Sequence, residues 1–131
     1  MQELTALENV MVPLMMEHYS VERAREHATK GLERVGLGKR LNNLPSQLSG
    51  GEQQRVSIAR AIAEAPEILF ADEPTANLDR EASEVVMDIF RELHKDGQTI
   101  VMVTHEEEYG RIAQRIIQID DGRITSDTPT R

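Results

Sequence analysis

The segment from Ile68 to Val103 most constrains the fold. Ile68-Leu69-Phe70-Ala71 is a continuous apolar run of strand length that ends in two carboxylates, Asp72 and Glu73. Residues 74–78 read as a loop, and Asp79 is placed to cap a helix. Ala82, Val85, Val86, Ile89, Phe90 and Leu93 then recur at helical spacing, Gly97 stops the pattern, and Thr99–Val103 is a second apolar run. A strand, a helix and a strand at this spacing predict a parallel pair joined by a right-handed crossover. The uninterrupted apolar runs predict strands buried on both faces. Beyond them, Thr104-His105 precedes a short polar helix from about Glu106, and residues 115–119 and 123–126, joined through Asp121-Gly122, predict a hairpin.

Upstream of Pro66 the pattern is all helical. Thr5-Ala6-Leu7-Glu8 predicts a capping box ahead of Val10, Met11 and Leu14, in a helix that Pro13 should shorten or kink. Met11, Met15 and Met16 read as core of that helix. Ser20 opens a second helix with Val21, Ala24, Ala28, Leu32 and Val35 on one face, ended by Gly36 and Gly38. Residues 41–48 form a turn-rich connector. Ser49-Gly50-Gly51-Glu52 is another capping box, and its helix carries Val56, Ala59, Ile62 and Ala63 on one face up to Pro66. The fold class expected is therefore α/β, with a helical part over 1–66 and an α/β part over 67–131.

Composition narrows the chemistry. A net charge of −8 argues against a nucleic-acid surface, which needs clustered Lys and Arg. The absence of cysteine removes disulfides and thiolate metal sites. The longest apolar runs are far too short to span a bilayer and one contains Pro13, and no basic, apolar leader stands at the N-terminus. A soluble, cytoplasmic protein or fragment is expected.

Ligands of open parallel sheets sit beyond the carboxyl ends of the strands. Asp72-Glu73 and His105 fall at such ends of the same unit and can converge. Adjacent side chains of extended chain diverge, so Asp72 can face a metal while Glu73 faces a different reactant. A carboxylate at an apolar strand end suits a phosphate-bound Mg²⁺, and its neighbour can act as general base, a role worth roughly 10²–10⁴-fold in rate. Gly50 and Gly51 bare the N–H groups of a helix start to an anion, and Ser49 adds a hydroxyl donor. Taken singly, each feature also fits an ordinary solvated strand end, helix start or local hydrogen bond.

Taken together they resemble the motifs of the ATP-binding cassette (ABC) transporter ATPases. Leu48-Ser49-Gly50-Gly51-Glu52-Gln53 is similar to the signature motif and residues 68–73 to the Walker B strand. Ala76-Asn77-Leu78-Asp79 is similar to the D-loop, and Val103-Thr104-His105-Glu106 to the H-loop. The wording of 71–79 and of Leu4-Thr5-Ala6-Leu7-Glu8-Asn9-Val10 is most similar to the lipoprotein-release, macrolide-export and cell-division branch. The resemblance implies a P-loop NTPase-like fold, with a helical signature subdomain followed by the C-terminal part of a parallel sheet core. It implies ATP and Mg²⁺ as cofactors, with Asp72 toward the metal, Glu73 as catalytic base and His105 on the γ-phosphate. It also implies that Asp79 lies at a dimer interface and that Leu48, Ser49, Gly50, Gly51, Glu52 and Gln53 close over ATP held by a second protomer. The partners implied are that protomer and a membrane permease, which would hold the subunit on the inner face of the cell membrane.

The family's phosphate loop, G-x-x-x-x-G-K-S/T, does not occur in the sequence. Gly31-Leu32-Glu33-Arg34-Val35-Gly36 has the glycine spacing, but Leu37-Gly38 follows it, and the segment reads as a helix C-terminus with glycine caps. Gln2 stands too close to Leu4 to be the family's glutamine loop. The expectation is a C-terminal portion of a cassette that lacks the P-loop strand and the N-terminal sheet, with its strands short of neighbours. Two alternatives are a non-catalytic signature-helix module that completes a partner's ATP site, and a C-terminal lobe of a chromosome-maintenance or repair ATPase.

Overall fold

The structure is a computed structural model that describes residues 3–130. The reading of Gln2 lies outside the described residues. Three helices come first, α1 (Ala6–Met16), α2 (Val21–Arg34) and, after a 3-10 turn at Pro45–Gln47, α3 (Gly50–Ile62). Strand β1 (Ile68–Asp72), helix α4 (Arg80–Lys95) and strand β2 (Thr99–Val103) follow, then the short α5 (Glu107–Gly110) and a hairpin of β3 (Arg115–Asp120) and β4 (Arg123–Pro129).

Each long helix starts where a side chain supplies the missing acceptor. Thr5 accepts from the Glu8 N–H at 3.2 Å while the Glu8 carboxylate accepts from the Thr5 N–H at 3.0 Å, a reciprocal capping box. Helix α1 then runs through Pro13 to Met16, past the point where shortening was expected. Ser20 caps α2 through the Arg23 N–H at 3.2 Å. That helix ends in a Schellman arrangement: Gly36 is left-handed (φ 81°), its N–H reaches Glu33 O at 3.0 Å, and the Leu37 N–H reaches Leu32 O at 2.8 Å. Gly97 (φ 102°) closes α4 in the same way, with the Gln98 N–H on Leu93 O at 3.0 Å.

Helices α1, α2 and α3 pack on one another, and α3 packs on α4. Val10, Leu14, Leu32, Val35 and Leu37 are buried together with Ala59, Val86, Met87 and Phe90 in one apolar cluster. Each large aliphatic side chain buried there contributes about 1.5–3 kcal/mol. Several expectations shift in this cluster. Met11 is core, but Met15 and Met16 are exposed because α1 turns only its Val10–Met11–Leu14 stripe inward. Val21, in the first turn of α2, is also exposed. The buried stripe of α4 is Ser83, Val86, Met87, Phe90 and Leu93, rotated away from Val85. Gly31 is not a cap: it lies inside α2, where an added Cβ would stand 3.2 Å from Ala59 O on α3.

Strands β1 and β2 pair in parallel, with Ile68 opposite Thr99 and Asp72 opposite Val103. Gln98 pins the start of the pair by donating from Nε2 to Pro66 O at 3.1 Å and Glu67 O at 3.3 Å. Burial on both faces is not observed. Leu69 is buried and Ala71, Ile100 and Met102 pack on the apolar cluster, whereas Ile68, Phe70, Val101 and Val103 are exposed on the opposite face. Helix α4 packs on one side of the pair, and the other set of alternating side chains finds no cover among the described residues. The hairpin forms as expected: Asp121 (φ 50°) and Gly122 (φ 75°) are both left-handed, as a type I′ turn requires.

Gly31→Val is expected to destabilise the chain by about 1–3 kcal/mol, because the neighbouring atom is helix backbone that cannot swing aside. Urea denaturation of the two proteins checks this through the shift in midpoint.

Candidate functional site

The site is built on the paired ends of β1 and β2. The ladder extends one bond beyond the strands, where the Glu73 N–H donates to Val103 O at 2.8 Å. Glu73 then turns into the left-handed region at φ 49°, uncommon for a residue with a side chain and a recurrent feature of functional loops. This changes the reason its side chain parts from that of Asp72. Divergence was expected from alternation along extended chain, but Glu73 is not extended, and the kink re-aims its carboxylate.

The kink carries Glu73 to His105. Glu73 Oε1 lies 2.7 Å from His105 Nδ1, across from one strand end to the other. The imidazole is largely exposed, with 82% of its side-chain surface accessible against 31% for Glu73. The hydrogen bond to Glu73, followed by that carboxylate's charge and more weakly by the charge of Glu106, raises the His105 pKa above its ordinary 6.5. A carboxylate paired with an exposed imidazole is suited to taking a proton from water and to handing a hydrogen bond to an anionic oxygen.

Asp72 ends β1 exposed, opposite Val103. Among the described residues no group of three or more His, Asp or Glu side chains could by itself enclose a metal. The exposed Asp72 carboxylate is a hard oxygen donor, the kind that Mg²⁺ prefers, and one or two such carboxylates usually hold that ion together with water and substrate phosphates. Asp79, expected at an interface, accepts from the Ala82 N–H at 2.8 Å and caps α4.

The Leu48–Gln53 residues sit on a different element. Ser49 Oγ accepts from the Glu52 N–H at 3.1 Å, and Glu52 Oε1 accepts from the Ser49 N–H at 2.9 Å. That backbone hydrogen bond is the main cause that lowers the Glu52 pKa. Leu48 is buried, and Gln53 Nε2 donates to Pro45 O at 2.9 Å and Leu48 O at 3.3 Å, tying the connector to the helix. Gly51 is buried where its Cβ would come within 2.9 Å of Ala82 Cβ, while at Gly50 the nearest atom is Leu78 Cδ2 at 3.7 Å. The start of α3 is thus fitted against residues 78–82, and its hydrogen bonds do not join it to Glu73 or His105. Of the expected residues, the fold brings Glu73 and His105 into contact beside Asp72, while Ser49 and Gln53 make their hydrogen bonds within the start of α3 and its connector.

One linkage was not read from the sequence. Thr75 Oγ1 donates to Glu106 Oε2 at 3.1 Å, joining the loops that leave the two strands. The parallel register ends at Asp72 opposite Val103, and no pattern in the sequence marks the bond between the loops beyond it.

With this geometry in view, the comparisons with known proteins are consistent. The family model for the ABC transporter matches residues 1–76. An uncharacterised ABC transporter ATP-binding protein of Methanocaldococcus jannaschii is 54% identical over 121 residues, covering 92% of this chain and 54% of that protein. The lipoprotein-releasing system ATP-binding protein LolD of Aquifex aeolicus is 48% identical over 125 residues, covering 95% of this chain and 56% of its own length. The macrolide export ATP-binding/permease protein MacB of Aggregatibacter actinomycetemcomitans is 50% identical over 131 residues, 20% of its length. The chain therefore spans about half the length of the first two and a fifth of the third. Among solved structures, a dimeric post-hydrolysis state of the ATP-binding cassette MJ0796 bound to ADP and Pi superposes over all of this chain and 59% of that one, with TM-score 0.84 and 41% identity.

Glu73→Gln is expected to lower the His105 pKa toward 6.5, read by NMR titration of the imidazole. The sign follows from the raised folded value. The pair's contribution to stability is fully present below the unfolded pKa and is lost as pH rises through the folded one.

Proposed function

The chain belongs to the ABC transporter family, and we propose that it forms part of an ATP-hydrolysing subunit that drives a membrane permease. The observation that carries this reading is the 2.7 Å contact between Glu73 and His105 at the ends of parallel strands, next to the exposed Asp72. In the proposed division of the chain, residues 1–66 are the helical signature subdomain and 67–131 the C-terminal part of the nucleotide-binding core.

The reaction is ATP + H₂O to ADP + phosphate. The Asp72 carboxylate is positioned to hold Mg²⁺, which supplies neutralisation of charge on the phosphate oxygens when bound. Glu73 takes the proton of the attacking water, and its anchored backbone keeps the carboxylate in place at little cost in reorganisation. His105 meets that carboxylate through Nδ1, and the protonated ring, which Glu73 favours, can also donate from Nε2 to a γ-phosphate oxygen. Ser49 uses its oxygen to cap α3, and its hydroxyl proton remains free for an anion arriving at the helix start beside Gly50. The resemblance of Leu48–Gln53 to the family's signature motif points to these residues serving the ATP of a second protomer, with Asp79 and the neighbouring loop at the shared interface. The dimeric ADP-bound cassette that this chain resembles supports this arrangement. The names of its relatives, an ATP-binding/permease protein among them, support a permease as partner. No described helix is long and apolar enough to cross a membrane.

Two outcomes are expected. The 131 residues contain no G-x-x-x-x-G-K-S/T sequence, whose backbone cradle and lysine supply much of the affinity for phosphates. The 131-residue polypeptide alone should therefore show no ATP hydrolysis above background; steady-state turnover abolished by Glu73→Gln would overturn this. Mixed with an intact cassette subunit and ATP, it should associate in a nucleotide-dependent way. Ser49→Asp keeps the cap but puts a carboxylate where a phosphate must approach, so it should abolish that association while leaving the helix intact. Unchanged association of the variant, measured by sedimentation, would remove Ser49 from the ATP contact.

A further inference from the structure

His105 is poorly held by its own surroundings, being largely exposed, yet its ring meets Glu73 at 2.7 Å. What fixes it is the backbone on either side. Before it, Val103 O accepts from the Glu73 N–H at 2.8 Å. After it, Glu106 is held twice: its N–H donates to Thr104 Oγ1 at 3.1 Å, and its carboxylate accepts from Thr75 Oγ1 at 3.1 Å. Thr75 is itself firmly placed, 3% exposed, with its carbonyl taking the Leu78 N–H at 3.2 Å. Two cross-loop bonds, 73 to 103 and 75 to 106, therefore bracket the Glu73–His105 contact.

We propose that Thr75 is a positioning residue that, through its hydroxyl on Glu106, locks the loop after β2 against the loop after β1 and so sets the contact between His105 and Glu73. The inference rests on the reading of Glu73 and His105 as the reactive pair for its functional meaning, although the geometric claim is separate from it. A misplacement of about 1 Å between reacting groups is enough to cost on the order of 10²-fold in rate, so a device that holds two exposed side chains in register has a use. Glu106 brings its own charge near His105, and Thr75 keeps that carboxylate engaged elsewhere. Without the hydroxyl, the loop after β2 is released from the loop after β1, and the imidazole is no longer held within reach of Glu73.

The test uses the nitrogen-labelled 131-residue polypeptide without nucleotide. It reads the His105 imidazole ¹⁵N shifts, which report whether Nδ1–H is donated to a carboxylate. Glu73→Gln sets the value for a ring that has lost that carboxylate. Thr75→Val, which keeps the volume and removes the hydroxyl, is expected to move the His105 signals most of the way toward the Glu73→Gln values, and Thr75→Ser should restore them. The Ala82 amide, held by Asp79, should stay in place and show that α4 and its loop remain folded. Should that amide move in Thr75→Val, Glu106→Gln and Glu106→Ala replace it, the first keeping an oxygen acceptor and native shifts, the second losing both. Native His105 shifts in folded Thr75→Val, or in Glu106→Ala, would overturn the proposal. With no nucleotide in the sample, these results do not depend on whether the polypeptide hydrolyses ATP or pairs with a cassette. Failure of the proposed function is thus seen separately.

Discussion

The parallel register of β1 and β2 is the constraint on which the site depends. Asp72 opposite Val103 fixes where both chains leave the sheet, and the Glu73 N–H on Val103 O extends the ladder one step further. From that last bond the loops part, Glu73 turning left-handed and Thr104-His105 continuing forward until Thr75 and Glu106 close the gap again. A slip of one residue would shift the loops by about 3.3 Å and exchange the two faces of the slipped strand. Leu69 would leave the apolar cluster, and Thr75 would lose Glu106. The burial of one leucine and the placement of an exposed histidine are therefore parts of the same pairing.

A second constraint sets the start of α3. Its residues answer two demands that a sequence pattern cannot separate. Ser49 and Glu52 complete each other's backbone, Gln53 ties down the connector, and Leu48 is buried, so these side chains are committed to holding the helix start. Gly51 is small because α4 approaches at Ala82, a packing reason. Only Gly50 and the hydroxyl proton of Ser49 are left without such a role. In energetic terms the motif is mostly a stiff mount, and the part able to meet an anion is small and preset. A helix terminus whose donors are already aligned loses little on binding, which is the condition for using its dipole well.

Much of this was legible in the sequence because the relevant forces are local. Capping boxes at Thr5 and Ser49, the left-handed stops at Gly36 and Gly97, the Asp121-Gly122 turn and the strand–helix–strand order all follow from neighbours within a few positions. What was not legible depends on contacts distant in sequence. Gly31 reads as a cap until α3 is seen against it. Glu73 reads as a strand residue until its turn toward His105 is seen, although the following Pro74 gave notice of an irregular backbone. Met15, Met16 and Val21 are apolar at helical spacing, but periodicity cannot say how wide the buried stripe is. The Thr75–Glu106 bond lay between the two kinds: parallel pairing of the strands was expected, but neither its register nor the course of the loops beyond it.

The exposed face of the sheet shows the same limit from the other side. Ile68, Phe70, Val101 and Val103 are strand residues of the kind found in sheets covered on both sides, yet Phe70 is 73% and Val103 57% accessible. Burying apolar surface contributes roughly 25 cal/mol per Å², so this face forgoes stabilisation of the kind that Leu69, Ile100 and Met102 provide on the other. The apolar run therefore encodes a sheet more fully covered than the described residues make it. Whatever covers that face in a larger assembly would stiffen the two strands as a unit. Glu73 and His105 hang from the ends of those strands by one ladder bond and one hydroxyl bridge, so stiffening the sheet would narrow the spread of their separation without touching either side chain. Cover on the apolar face would act on the polar site through strand pairing alone, because the pairing is what the two share.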